Sequence, residues 1–167
     1  GRKIVPAAYA PKTLLQVIQD ADGRLSVGRC LQIATKLCDA LCHLHARNLV
    51  HRDIKLDNVI FIRSEPQLAD LSLVTQPGGK TKCGAYPFAA ERGHGETSGD
   101  IYSFGKLIYA MLGGDPADEE LPLPEPCGEE VSALMELVHA ACAPVPEDRP
   151  SALDLLSALQ KVQGTDV

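Results

Sequence analysis

The chain has 167 residues, 45% of them hydrophobic and 23% charged, which is length and apolar content enough for one domain with its own core. Twenty-two Asp and Glu outweigh sixteen Lys and Arg, giving a net charge of -6 with no long basic run, and this argues against binding nucleic acid. No apolar run is long enough to cross a bilayer and no secretory leader pattern is visible, so the cytoplasm is the expected compartment.

In chain order, residues 3–9 read as a short extended run, broken by Pro6 and stopped by Pro11. Thr13 can cap a short helix from Leu14 to about Gln19, ended near Asp22-Gly23. Ser26 can cap a longer one from Val27 to about Ala46. Its apolar positions Val27, Cys30, Leu31, Ala34, Leu37, Cys38, Leu41 and Leu44 form one stripe about 30 Å long. Val59–Ile62 and Gln67–Ala69 read as two short strands around the polar turn Arg63-Ser64-Glu65-Pro66. Residues 71–98 lack periodicity and read as a long loop, of the kind that is usually functional or disordered. Further helices are expected from about Asp100 to Leu112, over Glu129–Cys142 and over Ser151–Val162, with a Pro-rich loop at 115–128. The six cysteines make no CxxC pair and no zinc-finger spacing, so they are expected as reduced, small apolar residues. The expected fold is mainly α with one small β-hairpin.

Asp53, Lys55, Asn58 and Asp70 flank that hairpin at its two ends. Folding residues 59–69 back on themselves brings Asn58 and Asp70 together, and two oxygen-bearing side chains at a hairpin mouth suit a hard cation such as Mg²⁺. Asp53 could accept a proton from a hydroxyl, and Lys55 could neutralise a phosphoryl oxygen. A solvated turn with incidental charges is the competing reading.

The run His51-Arg52-Asp53-Ile54-Lys55-Leu56-Asp57-Asn58 resembles the catalytic loop H-R-D-L-K-x-x-N of the protein kinase family. Leu68-Ala69-Asp70-Leu71-Ser72 sits where kinases place D-F-G, and Ala89-Ala90-Glu91 resembles A-P-E. Ser98-Gly99-Asp100-Ile101-Tyr102-Ser103-Phe104-Gly105 is similar to the stretch that opens the central buried helix. Pro146-Glu147-Asp148-Arg149-Pro150-Ser151 is similar to a late element of the large lobe. The resemblance implies the α+β kinase fold, represented here by its mainly helical large lobe over 13–167, with 1–12 as the hinge region and the small lobe outside the chain.

It further implies ATP and Mg²⁺ as cofactors and a protein substrate. Asp53 would be the catalytic base and Lys55 the contact to the transferring phosphoryl group. Asn58 and Asp70 would be the Mg²⁺ ligands, and backbone at Ala8 and Ala10 would meet adenine. Lys55 two residues after Asp53 resembles Ser/Thr-type kinases, whereas the run from Cys142 to Pro150 leans toward tyrosine-kinase-like ones. Arg52 would pair with a phosphate on the activation loop, for which Thr75 and Thr81 are candidates. Asp100 would hold the catalytic-loop backbone, Glu91 and Arg149 would form an ion pair, and His51 would be a packed structural residue.

Ser72 stands where the family has glycine, Ala90 where it has proline, and Ala85 where Ser/Thr kinases carry a threonine. A Gly-rich loop and its lysine-bearing strand are not in the sequence, so nucleotide binding by this chain alone is expected to be weak. A catalytically inactive, kinase-like interaction module (a pseudokinase) is the alternative, and a partner supplying the missing lobe is a third possibility.

Overall fold

A computed structural model describes residues 10–78, 88–89, 95–125 and 128–164. Helix α1 (Leu14–Gln19) opens on a capping box. Thr13 Oγ1 accepts from the Gln16 amide at 3.3 Å, and the Gln16 side chain accepts from the Thr13 amide at 3.0 Å. Helix α2 (Val27–His45) starts at Ser26, whose hydroxyl accepts from the Arg29 amide, and its stripe from Cys30 through Leu41 is buried. Asn48 ends the turn that follows with a left-handed φ of +56°.

Strands β1 (Val59–Ile62) and β2 (Glu65–Leu68) pair antiparallel, with Val59 opposite Leu68 and Ile62 opposite Glu65. The turn is therefore the two residues Arg63 and Ser64, both left-handed, and not the four that sequence reading assigns to it. Pro66 lies within β2 opposite Phe61. β2 is an outer strand, where a residue without an N–H costs little. On its other side β1 is tied to the chain before α1, the Phe61 amide donating to the Lys12 carbonyl at 2.8 Å.

Helix α3 (Thr97–Met111) begins three residues before the expected start, so Asp100 falls in its first turn. Thr97 and Ser98 read as loop residues, yet the first turn tolerates them because its amides have no helical partners. From Ile101 on, α3 is buried on nearly every side. A Cβ at Gly105 would lie 2.7 Å from Cys142 Sγ and 2.9 Å from the Ala141 Cβ, so this glycine sets how closely α3 approaches α4 (Glu129–Ala141). Helix α5 (Ala152–Gly164), preceded by a Ser151 hydroxyl that accepts from the Asp154 amide, packs against α2 and α4. The loop 112–125 is fastened to this core by Lys106 Nζ donating to the Asp118 carbonyl at 2.6 Å and Tyr109 Oη to the Pro122 carbonyl at 2.9 Å. No described helix is long and apolar enough to cross a membrane.

Candidate functional site

The segment between α2 and β1 holds most of the expected site residues, and Asp100 of α3 is bonded to its backbone. Asp100 is 1% exposed and its carboxylate takes three bonds. Oδ2 accepts from the His51 amide at 2.7 Å and lies 2.9 Å from His45 Nε2, and Oδ1 accepts from the Arg52 amide at 2.8 Å. A buried carboxylate bonded in this way ties the loop backbone to the core helix. Further along, Val50 and Thr75 exchange two backbone bonds, of 2.8 and 3.2 Å, which lay the segment after β2 alongside the loop.

Arg52 has a φ of +71°, a conformation that costs a non-glycine residue on the order of 1 kcal/mol. Its Asp100 bond and its guanidinium over-determine it. Nη2 donates to the carbonyls of Gln76 at 3.0 Å and Gly95 at 3.3 Å. Gly95 is itself left-handed, and a Cβ there would come within 3.2 Å of the guanidinium. His51 is fully buried, and burial lowers its pKa below 6.5 against the opposing pull of Asp100. Its Nδ1 accepts from the Asp53 amide at 3.4 Å. The enclosed imidazole packs within the loop that carries Asp53.

Asp53 is 8% exposed, and so is Asn58. The Asn58 amide nitrogen donates to the Asp53 carbonyl at 2.8 Å and to Asp53 Oδ2 at 2.7 Å, and Lys55 Nζ lies 3.0 Å from the same Oδ2. One carboxylate oxygen is thus fixed by an amide and a cation, and neither of them engages Oδ1. Both amide hydrogens of Asn58 being directed at Asp53, the atom it can offer a cation is its Oδ1.

Across the hairpin the Ala69 amide donates to the Asn58 carbonyl at 2.8 Å, which sets Asp70 beside Asn58 in the chain path. Asp70 is exposed, with φ +56° and ψ +70°. Its Oδ1 accepts from the Ser72 hydroxyl at 2.6 Å and the Ser72 amide at 3.4 Å, and these bonds, chiefly the first, hold its carboxyl below the usual range. Among the described residues no three His, Cys, Asp or Glu gather as a metal cluster. An Asn oxygen and one carboxylate do not make an all-protein cage. They do fit Mg²⁺, which keeps its waters and is commonly held by one or two carboxylates together with phosphate oxygens.

Of the other expected residues, Ala10 is exposed and Thr75 is half-buried. Arg149 donates to the carbonyls of Ala143 and Ser98 and lies over the Tyr102 ring. Ala8, Thr81, Ala85 and Glu91 fall outside the described residues. Cys30, Cys38 and Cys142 are free, with thiols pushed up to about 12, chiefly by burial, so they are not activated nucleophiles. A cavity walled by Cys42, His45, Ile101, Arg149 and Leu153 lies elsewhere and contains none of Asp53, Asn58 and Asp70.

Sequence reasoning gave His45 no part. The one sign of it is positional: it falls four residues after Leu41, at the end of the buried stripe of α2, where a polar side chain needs a partner.

A family model described as "Protein kinase domain" matches residues 4–160. The serine/threonine-protein kinase PknK of Mycobacterium tuberculosis is 28% identical over 96% of this chain and 15% of its own length. The human serine/threonine-protein kinase DCLK3 is 31% identical over 74% of this chain and 20% of its own length. The human protein-tyrosine kinase 6 is 29% identical over 65% of this chain and 27% of its own length. The chain therefore spans only a minor part of the relatives it matches.

Proposed function

The chain belongs to the protein kinase domain family, and we propose that the segment from Asp53 to Asp70 is the base-and-cation half of a site that transfers phosphate from ATP to Ser or Thr of a protein. The observation that carries this reading is the Asp53 carboxylate, buried and held at Oδ2 by both Asn58 and Lys55. Asp53 orients the acceptor hydroxyl and takes its proton at the carboxylate. Lys55, at the edge of that carboxylate, places positive charge beside the transferring phosphoryl group. Asn58, through Oδ1, and Asp70 are the residues that hold Mg²⁺. When bound, the cation supplies neutralising charge to the phosphate oxygens.

Backbone around Ala8 and Ala10 meets adenine, and a small lobe, from the same protein or from a partner, covers the nucleotide's other face. Arg52 already bridges the carbonyls of Gln76 and Gly95. It is the residue for a phosphate placed on Thr75 or Thr81 to address. Arg149 and Glu91 anchor the end of that segment. The choice of Ser and Thr over Tyr rests on Lys55 following Asp53 at two residues, and on the names of the relatives PknK and DCLK3.

Transfer of labelled phosphate from ATP–Mg²⁺ to a mixed protein substrate, by the chain and by its Asp53→Asn variant, tests the proposal. Slow transfer that drops about a hundredfold or more in the variant supports it. Equal signals from the two, or none from either, overturn the catalytic reading and favour an interaction module, toward which Ser72 and Ala85 point.

A further inference from the structure

The cavity at the end of α2 has a volume of about 580 Å³ and takes no part in the site around Asp53. Cys42, His45 and Ala46 of α2 form one wall, and Pro146, Pro150 and Leu153 form another. No Asp or Glu is among the described residues that line it, although the chain carries 22 of them. A second copy of a chain with net charge -6 therefore meets no like charge inside this cavity. At its lip stands Leu153, in the first turn of α5 and outside the buried face that Ala152, Leu155, Leu156 and Leu159 make. Leu153 is 65% exposed, more than any other large hydrophobic side chain described, and Val145, beside Pro146, is 42% exposed. Apolar side chains gathered around a concavity mark an interaction surface.

A protruding leucine and a cavity on one patch are self-complementary: a twofold axis seats each knob in the other copy's hole. The charges at the rim agree with such an axis. Arg47 follows Ala46 at one wall, and Glu147 and Asp148 follow Pro146 at the other. All three are exposed, and none of them makes an ion pair among the described residues. A twofold axis sets unlike walls against each other, so the cation of one copy meets the acids of the next. We infer that this face pairs two copies of the chain, each seating its Leu153 in the other's cavity, with Arg47 of one copy against Glu147 and Asp148 of the second. The pairing adjoins the loop that carries Asp53, because His45 in the cavity wall is the residue whose Nε2 lies 2.9 Å from Asp100 Oδ2.

Sedimentation velocity of the full chain, over about a hundredfold range of concentration, tests the pairing. The unaltered chain is expected to pass from monomer to dimer across that range. Leu153→Glu, at an exposed position, is expected to keep the fold in thermal unfolding and to weaken the dimer about tenfold or more. Arg47→Glu and Asp148→Arg are each expected to weaken it about threefold to tenfold, and the two combined to recover most of the loss. A chain that stays monomeric throughout, or a dimer that Leu153→Glu leaves unchanged, would overturn the inference. Two charge reversals whose losses simply add when combined would overturn it too, because the reversed charges would then not meet. A monomeric chain that binds the apolar dye anilinonaphthalene sulfonate, and loses it in Leu153→Glu, would give the cavity to a small molecule and overturn the pairing.

Discussion

Asp53 and Asp70 are both acidic residues at the hairpin's ends, and they are held in opposite ways. Asp53 is buried. It sits on a loop whose backbone is bonded to Asp100 in the core helix and whose side chains, Asn58 and Lys55, converge on it. Asp70 is exposed, and its carboxylate is held by Ser72, two residues away. The Asp53 loop is tied to the core by Asp100, far away in sequence, while Asp70 is held by its own neighbour. Preorganisation of that kind lets charged groups act without rearranging during reaction. Local control leaves the Asp70 carboxylate exposed to solvent.

The largest effect that would break this contrast is expected at Asp100. Asp100→Ala leaves the amides of His51 and Arg52 and the ring of His45 without their acceptor inside the protein. It should destabilise the fold by about 3–5 kcal/mol in urea denaturation. A loss below about 1 kcal/mol would mean that the loop is not held from the core. Next is Gly105→Ala, whose new methyl meets Cys142 and Ala141. It should cost about 1–3 kcal/mol by overpacking and part α3 from α4.

His51 sharpens the contrast through pH. Its folded pKa lies below 6.5, so in the window between the folded value and 6.5 the unfolded chain binds more protons. Stability should therefore fall as pH drops through that window, and His51→Phe should remove this part of the slope. An unchanged slope would place the titration elsewhere. The smallest expected effect on stability is at Asp70, where Asp70→Asn should leave the denaturation midpoint within experimental error while abolishing cation binding.

The helices were legible because their signals are local. Thr13 and Ser26 announce the starts of α1 and α2, and the stripe from Cys30 to Leu41 gives the buried face of α2. The hairpin was legible in its strands but not in its turn. Arg63 and Ser64 take left-handed conformations without the Asn-Gly or Asp-Gly chemistry that usually marks them, and Pro66 looks like a turn residue while serving as an outer strand position. Of the site, the residues within the His51–Asn58 run could be picked out together because they are near in sequence. His45 could not, since its partner Asp100 lies 55 residues away and no periodicity spans that distance. Lys106 was missed for a related reason: a lysine in an apolar helix gives no sign that it is 2% exposed and bonded to a loop carbonyl. At Ser72 the sequence marks a departure from the family's glycine, the residue that most freely takes unusual backbone angles. The structure places the unusual angle on Asp70 and gives Ser72 a hydrogen bond instead.

Amide hydrogen exchange in the chain without nucleotide or metal tests the contrast most directly, because it reads both sides of the site in one experiment. The amides of His51 and Arg52, bonded to buried Asp100, are expected to be protected by about a thousandfold or more, while those of Leu71 and Ser72 exchange close to the rate of an open chain. Equal protection on the two sides, or rapid exchange at His51 and Arg52, would contradict an Asp53 loop held by the core in the absence of any ligand.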